Sequence, residues 1–221
     1  MDALGQTFDV ADKPSRSSKL RTARMEAFSD GVYAIAITLL ILDVTIPPNS
    51  GEHLLRAYLD QWPSFLAYVA SFATIGASWL GHSLVTEYLE QADPILVRLN
   101  LILLFVISLI PFPTRVVGEY VTERHAERVA ITIYGIHLLV ATLLLSALWR
   151  YAARQRLIHP DRADVELRLL SRRVEPGLIG YVVLIGIGLL FPIVSLIGYL
   201  ALAITVILPI AALHRIQNAK S

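Results

Sequence analysis

Arg24–Met25–Glu26–Ala27–Phe28–Ser29–Asp30, followed by an apolar run from Gly31 to Leu42, is the stretch on which the fold turns. Asp30 closes the run on one side and Asp43 on the other, leaving twelve uncharged residues. A helix crossing a hydrocarbon core of about 30 Å needs about 20 apolar residues. The segment is therefore a buried core helix, or a membrane span that faces protein or water instead of lipid. The rest of the chain decides for the second.

Of the 221 residues, 55% are hydrophobic and 17% charged, and the charges bunch between long apolar segments. That pattern belongs to a polytopic, all-α membrane protein and not to a soluble domain. The net charge of +1 gives no reason to expect a nucleic-acid partner. With no cysteine, disulfides, thiolate metal sites and cysteine nucleophiles are excluded. Met1 to Ala23 has no apolar core or cleavage site, so it does not read as a signal peptide.

Residues 1–20 read as a polar cytoplasmic tail and 21–214 as the membrane domain. The first span covers about 24–46 and stops at Pro47–Pro48. His53–Gln61 predicts a short interfacial helix. Further spans cover 62–88, 94–114 with a Pro111–Phe112–Pro113 end, and 129–149. A charged linker runs from Arg150 to Glu175. Pro176 to Leu213 carries no charge over 38 residues, nearly two bilayer cores of helix at about 1.5 Å per residue. It predicts two short spans, 177–194 and 197–213, turning around Pro192–Gly198, with 215–221 as a second tail. Six spans result, with no internal repeat between the first and fourth.

Lys and Arg set the orientation. With six spans, the side holding both termini and the 2–3 and 4–5 loops carries fifteen of the nineteen positive residues. Both termini are expected in the cytoplasm and the protein in the plasma membrane, with lipid as its surroundings.

At 100° per residue, Arg24, Phe28, Gly31, Ile35, Thr38, Leu42 and Thr45 fall on one stripe of the first helix. Such a heptad-like seam lets a helix pack around a symmetry axis. It can equally be a core-packing seam in a monomer. Lining a pore, Ile35 and Leu42 would be apolar constrictions and Thr38 a ring of hydroxyls, which can replace part of an ion's hydration shell. Asp30 lies well off this stripe and should point into the subunit, where a carboxylate needs a partner. The second span offers Trp79 and His82 on one helical face, with Ser78 and Ser83 beside them, and the third offers Asn100. The expected cluster joins Asp30 and Ser29 to Trp79, His82 and Asn100.

Arg24–x–x–x–Phe28–Ser29–Asp30 resembles the signature of the lysosomal potassium channel transmembrane protein 175 and its prokaryotic homologues. The six spans, Trp79–x–x–His82, Asn100 and the proline-rich end of the third span agree, so the resemblance covers roughly 20–214. It implies a homotetramer whose four first helices line a central, potassium-permeable pore without a Thr-Val-Gly-Tyr-Gly filter. It implies a hydrophobic constriction at Ile35, a selectivity threonine at Thr38 and a second apolar ring at Leu42. The implied polar network comprises Arg24, Ser29, Asp30, Trp79 and His82. Potassium is then the permeant ion, and no cofactor, metal site or catalytic residue is implied.

A proton-permeable channel or proton-coupled transporter is the alternative. It would need ionisable groups within the spans, for which Asp30, Asp43, His82, Arg98 and His137 are the candidates. An enzyme finds no support, because no nucleophile–base constellation is present. A lone His82 is a poor metal site. The basic linker is a solvated connector or a contact for anionic lipid. Gly177, Gly180, Gly186 and Gly188 permit close helix approach within or between subunits.

Overall fold

The computed structural model describes residues 16–48, 50–158 and 177–218, with side chains from 21 to 208. The tail readings for 1–15 and 219–221, and the linker from 159 to 176, lie outside the described residues. Helix α1, Arg16–Leu39, starts well before Arg24, because the segment ahead of it is built of good helix formers such as Arg, Lys, Leu and Ala. It tightens into a 3-10 turn, Leu40–Asp43, and ends at extended Val44 instead of Ile46. The β-branched run Val44–Thr45–Ile46 and the restriction that Pro47 places on its predecessor stop it early.

Helix α2 is Leu54–Asp60 and α3 is Trp62–Tyr88. Helix α4, Pro94–Leu109, opens on an Asp93 cap whose Oδ1 accepts from the Leu96 amide at 2.6 Å. The third span does not stop at Thr114. Helix α5, Pro111–Tyr120, continues it, and together they form an apolar stretch over Pro94–Tyr120. Pro111 and Pro113 lack amide donors, so they break the helix into two pieces without ending the span. A buried chain of hydroxyls holds the second piece. Ser71 Oγ meets Thr114 Oγ1 at 2.7 Å and the Tyr134 hydroxyl at 2.8 Å, joining α3, α5 and α6.

Helix α6, Ala126–Arg154, overruns the expected 129–149 at both ends. Helices α7, Gly177–Gly188, and α8, Pro192–Asn218, form the expected hairpin, but it turns at 189–191, ahead of Pro192. Pro192 opens α8, where its missing amide costs nothing, and Gly198 lies inside that helix. Gly180 faces Leu202, and Gly188 faces Ser195 and Ile131, so these two glycines serve contacts within the subunit. Gly177 and Gly186 have nothing near them in the described structure.

All regular elements among the described residues are helical, apart from one isolated bridge between Leu89 and Ile158. Four helical stretches are long and apolar enough to cross a membrane: Arg21–Asp43, Trp62–Tyr88, Pro94–Tyr120 and Ala126–Arg154. Gly177–Gly188 and Pro192–Leu208 are shorter apolar helices. The helix α3 sits at the centre, packing against α1, α5, α6 and α8, while α1 lies on α3 and α4.

Candidate ion pathway

Two faces of α1 have opposite fates. Thr22, Met25, Ser29, Tyr33 and Ala36 are buried on a helix that packs on α3 and α4, and Leu40 is buried on the following turn, which packs on α3 and α5. Arg24, Phe28, Gly31, Ile35, Thr38, Leu42 and Thr45 are all exposed. Ile35 keeps 60% of its surface and Leu42 66%, so the stripe is no seam within the subunit core. Thr38 Oγ1 donates to the Ile35 carbonyl at 3.0 Å. Its hydroxyl hydrogen is thus engaged, and the oxygen lone pairs are what remains to meet a cation.

The polar residues behind this edge form two groups. In the buried one, Asn100 Nδ2 donates to Ser29 Oγ at 2.9 Å, and Asn100 Oδ1 pairs with His82 Nε2 at 2.8 Å. Ser29 Oγ donates in turn to the Met25 carbonyl at 2.8 Å. Asn100 thereby ties α1 to α3 from its place on α4. The second group is the Trp79–Asp30 pair, with the indole Nε1 donating to Oδ1 at 2.9 Å. Asp30 turns toward α3 as its helical angle requires, but it is exposed and not enclosed. Trp79, at 39% exposure, lies at the flank of the subunit as well. The expected single cluster is therefore two: a buried Ser29–Asn100–His82 relay and a peripheral Trp79–Asp30 bond.

Arg24 joins neither group among the described residues. With Arg21, Met25, Phe28, Val97, Asn100 and Leu101 it lines an open cavity of about 600 Å³ between α1 and α4. Of the other ionisable candidates, His137 Nε2 meets the Val106 carbonyl at 2.8 Å and Arg98 is exposed. Asp43 is half-buried beyond the end of α1. No three His, Cys, Asp or Glu side chains stand together as a metal site among the described residues.

Tyr33 is the residue that the sequence reading missed. It is 1% exposed, its hydroxyl pairs with Ser78 Oγ at 3.0 Å, and its ring lies 5.5 Å from the His82 ring. The available signal was its spacing: Tyr33 follows Ser29 by one helical turn on the face opposite the stripe.

Comparison with known proteins places this arrangement. The family model for the endosomal/lysosomal potassium channel TMEM175 matches residues 24–111, which contain α1 from Arg24 onward and both polar groups. A Streptomyces collinus protein named a potassium channel is 40% identical over 169 residues, 76% of this chain and 82% of its own length. The endosomal/lysosomal proton channel TMEM175 of Gallus gallus is 36% identical over 155 residues, 65% of this chain and 31% of its own length. The crystal structure of a lysosomal potassium-selective channel TMEM175 homologue from Chamaesiphon minutus superposes with a TM-score of 0.78. It shares 31% identity and matches 86% of this chain and 98% of its own. The chain belongs to the TMEM175 family.

Proposed function

We propose that the protein is a potassium-permeable cation channel, assembled as a homotetramer in which four α1 helices surround a central pathway. The chain is a member of a channel family and not an enzyme. The observation that carries the reading is the uncovered edge of α1. A lipid-facing edge gains nothing from a mid-helix hydroxyl at Thr38 or a cation at Arg24. A water-facing edge uses both. In the assembly Ile35 and Leu42 form apolar rings that narrow the pathway, and Thr38 supplies oxygen between them. The Ser29–Asn100–His82 relay and the Trp79–Asp30 bond fix the rotation of α1 and so aim Ile35 inward.

Each subunit crosses the membrane six times, through α1, α3, the broken α4–α5 span, α6, α7 and α8. Both termini lie in the cytoplasm, consistent with the lysine and arginine asymmetry, and the channel resides in the cell membrane among its lipids. Potassium over sodium preference is weak to moderate, since no carbonyl filter sequence is present.

Liposome flux with the Ile35→Asn channel tests the pathway. A polar side chain keeps water in the constriction, so potassium flux rises severalfold over the parent. Unchanged flux places the constriction elsewhere. A proton pathway is the second reading, favoured by the proton-channel name carried by the Gallus gallus relative. Proton flux that persists in the absence of any permeant alkali cation selects it.

A further inference from the structure

The outer end of α1 carries a charge arrangement that the pore reading does not use. Asp43 follows Leu42 directly, on the 3-10 turn Leu40–Asp43. Residues three apart eclipse each other in 3-10 winding, so Asp43 stands over buried Leu40, toward α5, and flanks the pathway instead of lining it. Helix α5 packs against this turn. From α5, Arg115 Nε meets Glu119 Oε1 at 2.8 Å, and the Asp43 carboxylate acts electrostatically on the same guanidinium. Among the described residues Asp43 has no cation within ion-pair distance, since Arg115 is bound to Glu119. Each subunit thus sets two carboxylates, Asp43 and Glu119, against the Arg115 guanidinium where the turn meets α5, and four copies repeat this excess of one negative charge around the mouth.

We propose that Asp43, tempered by Arg115 and Glu119, is a conductance-setting charge that concentrates cations at the outer mouth. This rests on the tetrameric α1 pathway described above. Standing behind the edge, Asp43 acts through its field and not by coordinating the ion. A low-dielectric mouth lined by one sign of charge raises the local counter-ion concentration, and salt erases the effect. The screening length is about 30 Å at about 0.01 M salt and about 3 Å at about 1 M.

Single-channel recording of the full-length protein in planar bilayers tests it. Asp43→Asn lowers potassium conductance by about threefold in about 0.01 M KCl and leaves it unchanged in about 1 M KCl. Arg115→Gln moves the low-salt conductance the other way. The potassium–sodium reversal potential stays where it was in both variants. Because the chain has no cysteine, Asp43→Cys provides a single thiol for modification after folding and assembly. A sulfonate-bearing thiosulfonate reagent restores the low-salt conductance, and an ammonium-bearing one lowers it further. Equal effects of the two reagents, or equal changes at both salt concentrations, overturn the proposal. The Ile35→Asn channel recorded alongside separates the two levels. If its conductance rises while the Asp43 variants match the parent, the charge proposal alone is wrong. If neither it nor the Asp43 variants differ from the parent, the α1 pathway fails and this proposal with it.

Discussion

The indole Nε1 of Trp79 donates to Asp30 Oδ1 across 2.9 Å, joining the middle of α3 to the motif carboxylate of α1. This bond lies at the flank of the subunit, whereas the one between Asn100 and His82 is enclosed. Water can replace a lost partner at the first position but not at the second. That difference sets the size of the effects below.

Trp79→Phe removes the donor and leaves a carboxylate that water or lipid headgroups can solvate. The expected loss is about 1 kcal/mol of stability. Asp30→Asn, which keeps an acceptor oxygen, costs less than Asp30→Ala. Thermal unfolding in detergent, followed as a double-mutant cycle on the pair, measures the coupling.

Asn100→Leu is the more damaging change. It strips His82 Nε2 of its partner and Ser29 Oγ of its donor in a site closed to water. Unsatisfied buried polar groups cost about 1–3 kcal/mol each, so the expected loss exceeds that of Trp79→Phe. Asn100→Gln does not rescue it, because the longer side chain misplaces both contacts. Unfolding temperature and the yield of assembled channel report the outcome.

Thr38→Ala removes the hydroxyl oxygen that faces outward on α1. A neutral polar contact is worth about 1 kcal/mol, so the potassium–sodium permeability ratio falls by about fivefold at most. Reversal potentials under bi-ionic conditions give the ratio. No change in that ratio assigns selectivity to another layer of the pathway.

Gly135 of α6 marks the place where Tyr199 of α8 crosses closest. A Cβ there runs into the Tyr199 hydroxyl and lies 2.7 Å from its Cζ and 2.9 Å from Ile185 Cγ1. Gly135→Ala therefore destabilises the α6–α8 contact by about 1–3 kcal/mol, the usual cost of overpacking. Tyr199→Phe, by deleting the hydroxyl, recovers part of that loss in the double variant. Unfolding of the two singles and the double checks it.

The α1 edge was legible because a heptad-like spacing and a polar residue in an apolar run are both properties of sequence. Trp79 and His82 were legible because they fall three apart on one helical face. What escaped has a common physical cause. The boundary at Tyr120 depends on tertiary support. The hydroxyls of Ser71, Thr114 and Tyr134, far apart in the chain, carry α5 past its prolines. Local propensity alone would have stopped it. The division of the polar cluster in two likewise depends on where α4 sets Asn100, a matter of packing and not of spacing.

Asp93 shows how the loops at one end of the helices are tied to the helices themselves. One of its oxygens holds the first turn of α4, and the other accepts the Tyr151 hydroxyl at 2.6 Å from the end of α6. The Glu90 amide also bonds to the Leu157 carbonyl at 2.9 Å. A force applied to the chain just after α6 is therefore delivered to the base of α4. Two turns up the same helix stands Asn100, which donates to Ser29 of α1. The exit of α6 is thus linked to α1 through α4.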